Sequence, residues 1–226
     1  MTRRKAVLIG LALPAWAYSA KDFWNQKDPK DWTEEERLEL LTNSPWARKA
    51  SVHYNDALGS LGGVPVRTGR MSRRAPVGGG TGAPGTINEP GNYEAIVRWD
   101  SALPIREANR NASKDDPAAN YIISLSGDLP MLGRPPAEAS DEENQRRLEM
   151  FKQYTKLEKR GDPIFLIRIG YEGGTAKNSE TSFYFERNDL IRPNDRQVTF
   201  VTKLGPLDVK CKFILKEMLY RGKLEL

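Results

Sequence analysis

The chain has 226 residues, 38% hydrophobic and 9% aromatic, enough for one medium domain with a packed core. Its 19 glycines and 15 prolines place part of the chain outside that core. The formal charge of +5 falls to +2 without Arg3, Arg4 and Lys5 at the amino terminus, which leaves no electrostatic footprint for nucleic acid. A single cysteine, Cys211, excludes an internal disulfide.

The amino terminus reads in three zones: basic Arg3 to Lys5, an apolar stretch from Ala6 to Tyr18, and the small residues Ala15, Ala17, Ser19 and Ala20. That is the pattern of a cleavable secretory signal over residues 1–19, cut near Ala17 or Ser19. The uncharged stretch spans 13 residues, short of the roughly 20 that a membrane span needs. The expectation is an exported chain, periplasmic or extracellular, with no transmembrane span after cleavage. No cysteine follows the apolar stretch, so attachment as a lipoprotein is not expected.

Residues 20–58 read as a tryptophan-rich helical module followed by a first strand. Thr33 and Glu36 form a capping box, with Glu34 and Glu35 at the positive end of the helix dipole. That helix should run through Leu38, Leu40 and Leu41 and stop near Asn43. Ser44 and Pro45 read as a second helix start. Trp24, Trp32 and Trp46 would either clamp these short helices onto the main domain or present an aromatic docking surface. The clamp is favoured, because short helices need tertiary packing. Ser51 to Tyr54 reads as a strand.

Composition then shifts. Residues 59–92 hold ten glycines, four prolines and the arginines Arg67, Arg70, Arg73 and Arg74 against one acid, Glu89. This is a flexible basic loop or linker. The run Gly78 to Gly82 lacks the preceding strand, following helix and lysine of a phosphate-binding loop. Together with the three tryptophans, Arg70, Arg73 and Arg74 make up the candidate contact surface.

Residues 93–226 read as a strand-rich α+β domain. Tyr93 to Trp99 alternates as a half-buried strand, with Trp99 inward and Arg98 and Asp100 outward. Pro104 to Arg110 suits a short helix and Tyr121 to Leu125 a strand. Ser140 and Glu143 form a second capping box, opening a helix expected to reach about Lys159 and end at Gly161. Strands follow at Ile164 to Tyr171 and Thr181 to Glu186, with the Gly173-Gly174 region between them, then at Val198 to Leu204 and around Cys211. A last strand uses Met218, Tyr220, Leu224 and Leu226. Short glycine and proline turns suggest an antiparallel meander. The expected class is mainly antiparallel α+β with one long helix, 140–160, and a small N-terminal helical module; a β-sandwich with an inserted helix is the alternative.

Chemistry is sparse. His53, the only histidine, sits in a strand beside Tyr54 without a nucleophile motif and reads as an ordinary strand residue. Cys211 shares an apolar strand face with Leu207, Val209, Phe213 and Leu215 and reads as core. Asp115-Asp116, Asp128 and Glu142-Glu143 show no calcium-loop spacing. Asn111-Ala112-Ser113 is a formal glycosylation triplet. No catalytic residue, metal or cofactor is expected.

Trp32-Thr33-x-Glu35-Glu36 followed by Leu40-Leu41-Thr42-x-Ser44-Pro45-Trp46-Ala47 resembles a module in uncharacterised exported proteins of environmental bacteria. Phe200 to Gly205, Lys212-Phe213-x-Leu215-Lys216-x-Met218 and Arg98 to Ala102 are similar to the same group. The resemblance implies bacterial export and carries no catalytic residue. The leading expectation is a non-enzymatic exported protein that binds an envelope or extracellular protein. A hydrolase of glycan or cell-wall material is the alternative; a carrier with an apolar cavity between sheet and helix is a third.

Overall fold

The structure is a computed structural model, and its described residues are 22–54, 93–109, 117–129, 132–133, 135, 139–172, 180–188 and 190–226. The expected signal segment, the 59–92 loop with Arg70, Arg73 and Arg74, Asn111, Asp115-Asp116 and Gly173-Gly174 lie outside them.

Four α-helices and eleven strands, with short 3-10 turns at Pro29–Asp31, Pro193–Asp195 and Leu215–Glu217, make up the described chain. They are α1 (Phe23–Gln26), α2 (Glu34–Thr42), β1 (Ala47–Lys49), β2 (Ser51–Tyr54), β3 (Ala95–Trp99), α3 (Leu103–Ala108), β4 (Asn120–Gly127) and α4 (Asp141–Tyr154). After these come β5 (Lys156–Glu158), β6 (Ile164–Glu172), β7 (Glu180–Glu186), β8 (Gln197–Leu204), β9 (Leu207–Ile214), β10 (Leu219–Tyr220) and β11 (Lys223–Leu224). Nine strands form one sheet in the order β1-β3-β4-β7-β6-β5-β8-β9-β2, antiparallel throughout. The class is therefore mostly antiparallel sheet with few helices, broadly α+β.

The two edges of that order belong to one stretch of chain. β1 pairs with β3, β2 pairs with β9, and only Ala50 separates them. The Ala50 N–H still donates to Ala95 O at 2.8 Å. The sheet thus curls into a nearly closed barrel, which removes most of its exposed edge. Alternation slips by one at this corner: Ala47 faces inward before it and Val52 packs on the core after it. Ser51 and His53 consequently face out.

Period-two burial fills the barrel. Ala95, Val97 and Trp99 point inward on β3, and Leu207, Val209, Cys211 and Phe213 do so on β9. Rings meet edge to face at Trp99–Phe213 (5.3 Å) and Phe151–Phe183 (5.6 Å), with Phe183–Phe200 tilted at 5.2 Å. Full burial of each such side chain stabilises the fold by about 1.5–3 kcal/mol. Phe151 of α4, fully buried, packs on the interior ring Phe183 and joins the helix to the sheet. Cys211 is buried as expected, and burial pushes its thiol up to about 12, so it is inert at neutral pH.

Several expectations are corrected. The helix opened by Ser140 stops at Tyr154 rather than near Lys159, because Thr155 is extended and β5 inserts between β6 and β8. Leu157 is fully buried there, opposite Ile164 and Phe200, and Thr155 shares a 2.7 Å hydroxyl hydrogen bond with Thr202. Pairing on both sides overrides the helical propensity of Lys156 to Lys159. The amino-terminal region is also less helical than expected. It has one nine-residue helix, α2, and single turns around it. Ser44 does act as a cap-like acceptor, receiving N–H groups from Trp46 (3.3 Å) and Ala47 (3.2 Å), but the chain then extends into β1. The last strand is instead a tight hairpin, β10–β11, turning at Arg221 and Gly222 with φ of 49° and 80°. The meander is interrupted too: β4 pairs with β7 and β5 with β8.

Candidate functional site

One mouth of the barrel carries Trp99, Tyr121, Phe185 and Phe213, which register places at the same end. The two halves of the chain meet there. Trp46 Nε1 donates to Glu225 O at 2.9 Å, Arg187 donates to Leu226 O, and Asn25 bonds both Leu219 O (3.4 Å) and the Arg221 N–H (2.6 Å). Arg48 and Glu217 form an ion pair at 2.5 Å. Tyr220 Oη donates to Glu107 Oε2 at 2.6 Å; burial, then that carboxylate, pushes the phenol up. Residues 22–48 and 215–226 therefore form one composite cap.

A groove of about 940 Å³ opens in this cap. Trp24, Pro45 and Leu219 supply apolar lining, and Leu219 is 40% exposed. Asp22, Glu39 and Lys216 also line it, and their side chains have no hydrogen-bond or ion-pair partner among the described residues. The buried Trp24 Nε1 has none there either. Indoles that are boxed in usually find an acceptor. Asp22 sits at φ 117°, a backbone conformation that favours glycine.

The sequence-predicted contact residues fall differently. Trp24, Trp32 and Trp46 are 4%, 4% and 0% exposed, so little of their ring surface is open. They clamp instead: Phe23 meets Trp24 at 5.1 Å and Trp32 at 5.9 Å, and Trp24 meets Trp46 at 5.7 Å, each edge to face. Of the three, Trp24 alone lines the groove. What sequence reading missed is the polar set around it, because Lys216 and Glu217 lie far along the chain from Asp22 and Glu39.

Two other polar sets lie outside the groove. Arg98 holds Asp100 through Nε (2.5 Å) and Nη2 (3.3 Å) and also pairs with Glu180. The small Ser124, opposite Arg98 on β4, leaves room for this tie from β3 to β7. Burial raises the Asp100 carboxyl against the opposing pull of Arg98. Both carboxylates are committed to one guanidinium, which is a structural clamp rather than a free acid–base pair. On the outer face of β2, Ser51 Oγ lies 2.7 Å from His53 Nε2. Spacing of two residues on one strand was the signal for that contact. Among the described residues no group of three or more His, Cys, Asp or Glu side chains is gathered for a metal ion. No helix among them is long and apolar enough to cross a membrane. Compared with protein-family models, curated proteins and solved structures, the chain matches none.

Proposed function

We propose that this chain is an exported protein that works by binding an envelope or extracellular protein through the groove between its two chain ends. The observation that carries the reading is the groove's lining: the apolar Trp24, Pro45 and Leu219 together with Asp22, Glu39 and Lys216, and none of these three charged side chains is paired among the described residues. A partner with complementary charges gains ion pairs there without breaking existing ones. The filled barrel supports the reading, since its interior is occupied by the protein's own aromatic rings. The basic, apolar and small-residue zones of residues 1–19 support export.

A photo-crosslinking residue placed at Asn43, on the groove, should trap a discrete partner in the native host. The same residue at Leu190, exposed but not among the groove residues, should not. Equal background at both positions would overturn the reading. Amino-terminal sequencing of the exported protein should begin at Tyr18 or Ala20, and an intact Met1 would remove the export proposal. Hydrolysis stands as a second reading, favoured by the Ser51–His53 contact rather than by carboxylates.

A further inference from the structure

We propose that Ser51, His53, Asp208 and Lys210 form a nucleophilic centre on the outer face of β2 and β9 that hydrolyses small carboxylic esters. The slip of alternation at Ala50 turns Ser51 and His53 outward on the same face. Ser51 Oγ and His53 Nε2 stand 2.7 Å apart, within the reach required of a nucleophile and its base. Using Nε2 leaves Nδ1 free to meet an orienting group. Asp208 is directly opposite His53 in the antiparallel register, where facing Cβ atoms lie about 4.5–5.5 Å apart. Lys203 Nζ holds the Asp208 carboxylate at 3.3 Å from the neighbouring strand. Lys210 is directly opposite Ser51, exposed, and without a partner among the described residues. The four residues thus occupy two register pairs on one face, with Val52↔Val209 between them on the other. Two belong to one strand and two to the next.

The step follows from the placement. His53 Nε2 takes the Ser51 hydroxyl proton as Oγ bonds to the ester carbonyl carbon. The carbonyl oxygen becomes an oxyanion beside the Lys210 ammonium. The C–O bond to the alcohol breaks as His53 returns the proton to the leaving oxygen. Water then attacks the acyl-serine with His53 again as base, releasing the carboxylic acid and restoring Ser51. Asp208 acts as a positioning residue through His53. With Lys210 and Lys212 both exposed on this face, esters carrying an anionic acyl group are favoured.

The test uses the intact exported protein, a fluorophosphonate probe and 4-nitrophenyl esters. The expected result is one labelled site in the peptide beginning at Ala50, lost in Ser51→Ala. His53→Gln should lower kcat/KM by at least about 100-fold with circular dichroism unchanged. Asp208→Asn should lower kcat without changing KM, and Asp208→Glu should recover most of it. Lys210→Met should cost more against an anionic ester than against a neutral one. Labelling and turnover equal in wild type and Ser51→Ala would overturn the proposal, reducing the contact to a surface hydrogen bond. This readout is independent of partner capture at the groove.

Discussion

The barrel interior and the cap on its mouth are built from similar residues and end in different states. Inside, Phe183, Phe185 and Phe200 are fully buried among other rings, and they carry no polar atom to satisfy. In the cap, Trp24 and Trp32 are nearly as buried, yet their indole N–H groups have no acceptor among the described residues. Charged neighbours around Trp24 are likewise left open. The barrel is not free of such groups, since the fully buried Trp99 also has an indole N–H without an acceptor among the described residues. What sets the cap apart is its open charges, Asp22, Glu39 and Lys216, beside apolar packing.

Phe200→Ala should therefore be the most damaging substitution, removing a ring that contacts Phe183 at 5.2 Å and Phe185 at 6.4 Å. Urea unfolding should show a loss of about 3–5 kcal/mol. Trp46→Phe keeps an aromatic ring in the cap but leaves Glu225 O without its donor. The expected loss is about 1–2 kcal/mol, with faster amide exchange confined to residues 219–226. If Trp46→Phe destabilised as much as Phe200→Ala, the cap would be part of the core in energy as well as in contact.

The smallest expected effect is a pH slope that sets two carboxyls apart. Asp100 has its carboxyl raised by burial, so its contribution is full below the ordinary value of 3.8 and is lost as pH rises through the native value. For Glu36 in the cap, burial alone would raise the group. The Lys27 ammonium and the Thr33 N–H outweigh it and hold the carboxyl low. Its contribution is present above the unfolded value and lost as pH falls through the native one. Unfolding free energies from pH 4 to 7 should show the advantage of wild type over Asp100→Asn shrinking as pH rises. The reverse slope would mean that Arg98 outweighs burial at Asp100.

Local signals were legible in the sequence and distant ones were not. The capping boxes at Thr33–Glu36 and Ser140–Glu143 form as read, since a box is written within four residues. The alternation around Cys211 likewise predicts its burial. Lys156, Leu157 and Glu158 suit a helix by local propensity, and only pairing with β6 and β8 makes them strand. Closure of the sheet through Ala50 depends on partners in β3 and β9 that no local pattern encodes. The groove was hidden for the same reason, its walls coming from both ends of the chain. Trp24 and Trp46 were visible as a clamp; the open charges beside them were not.

The most direct measurement is the affinity of the partner trapped at Asn43 for wild type and for the double variant Glu39→Lys, Lys216→Glu. Both side chains line the groove without a partner among the described residues, so the fold should tolerate the exchange. Binding should weaken by at least about tenfold, the loss of roughly 1.4 kcal/mol expected when complementary charges are reversed. Unchanged affinity in a variant with wild-type stability would contradict the groove as the working surface.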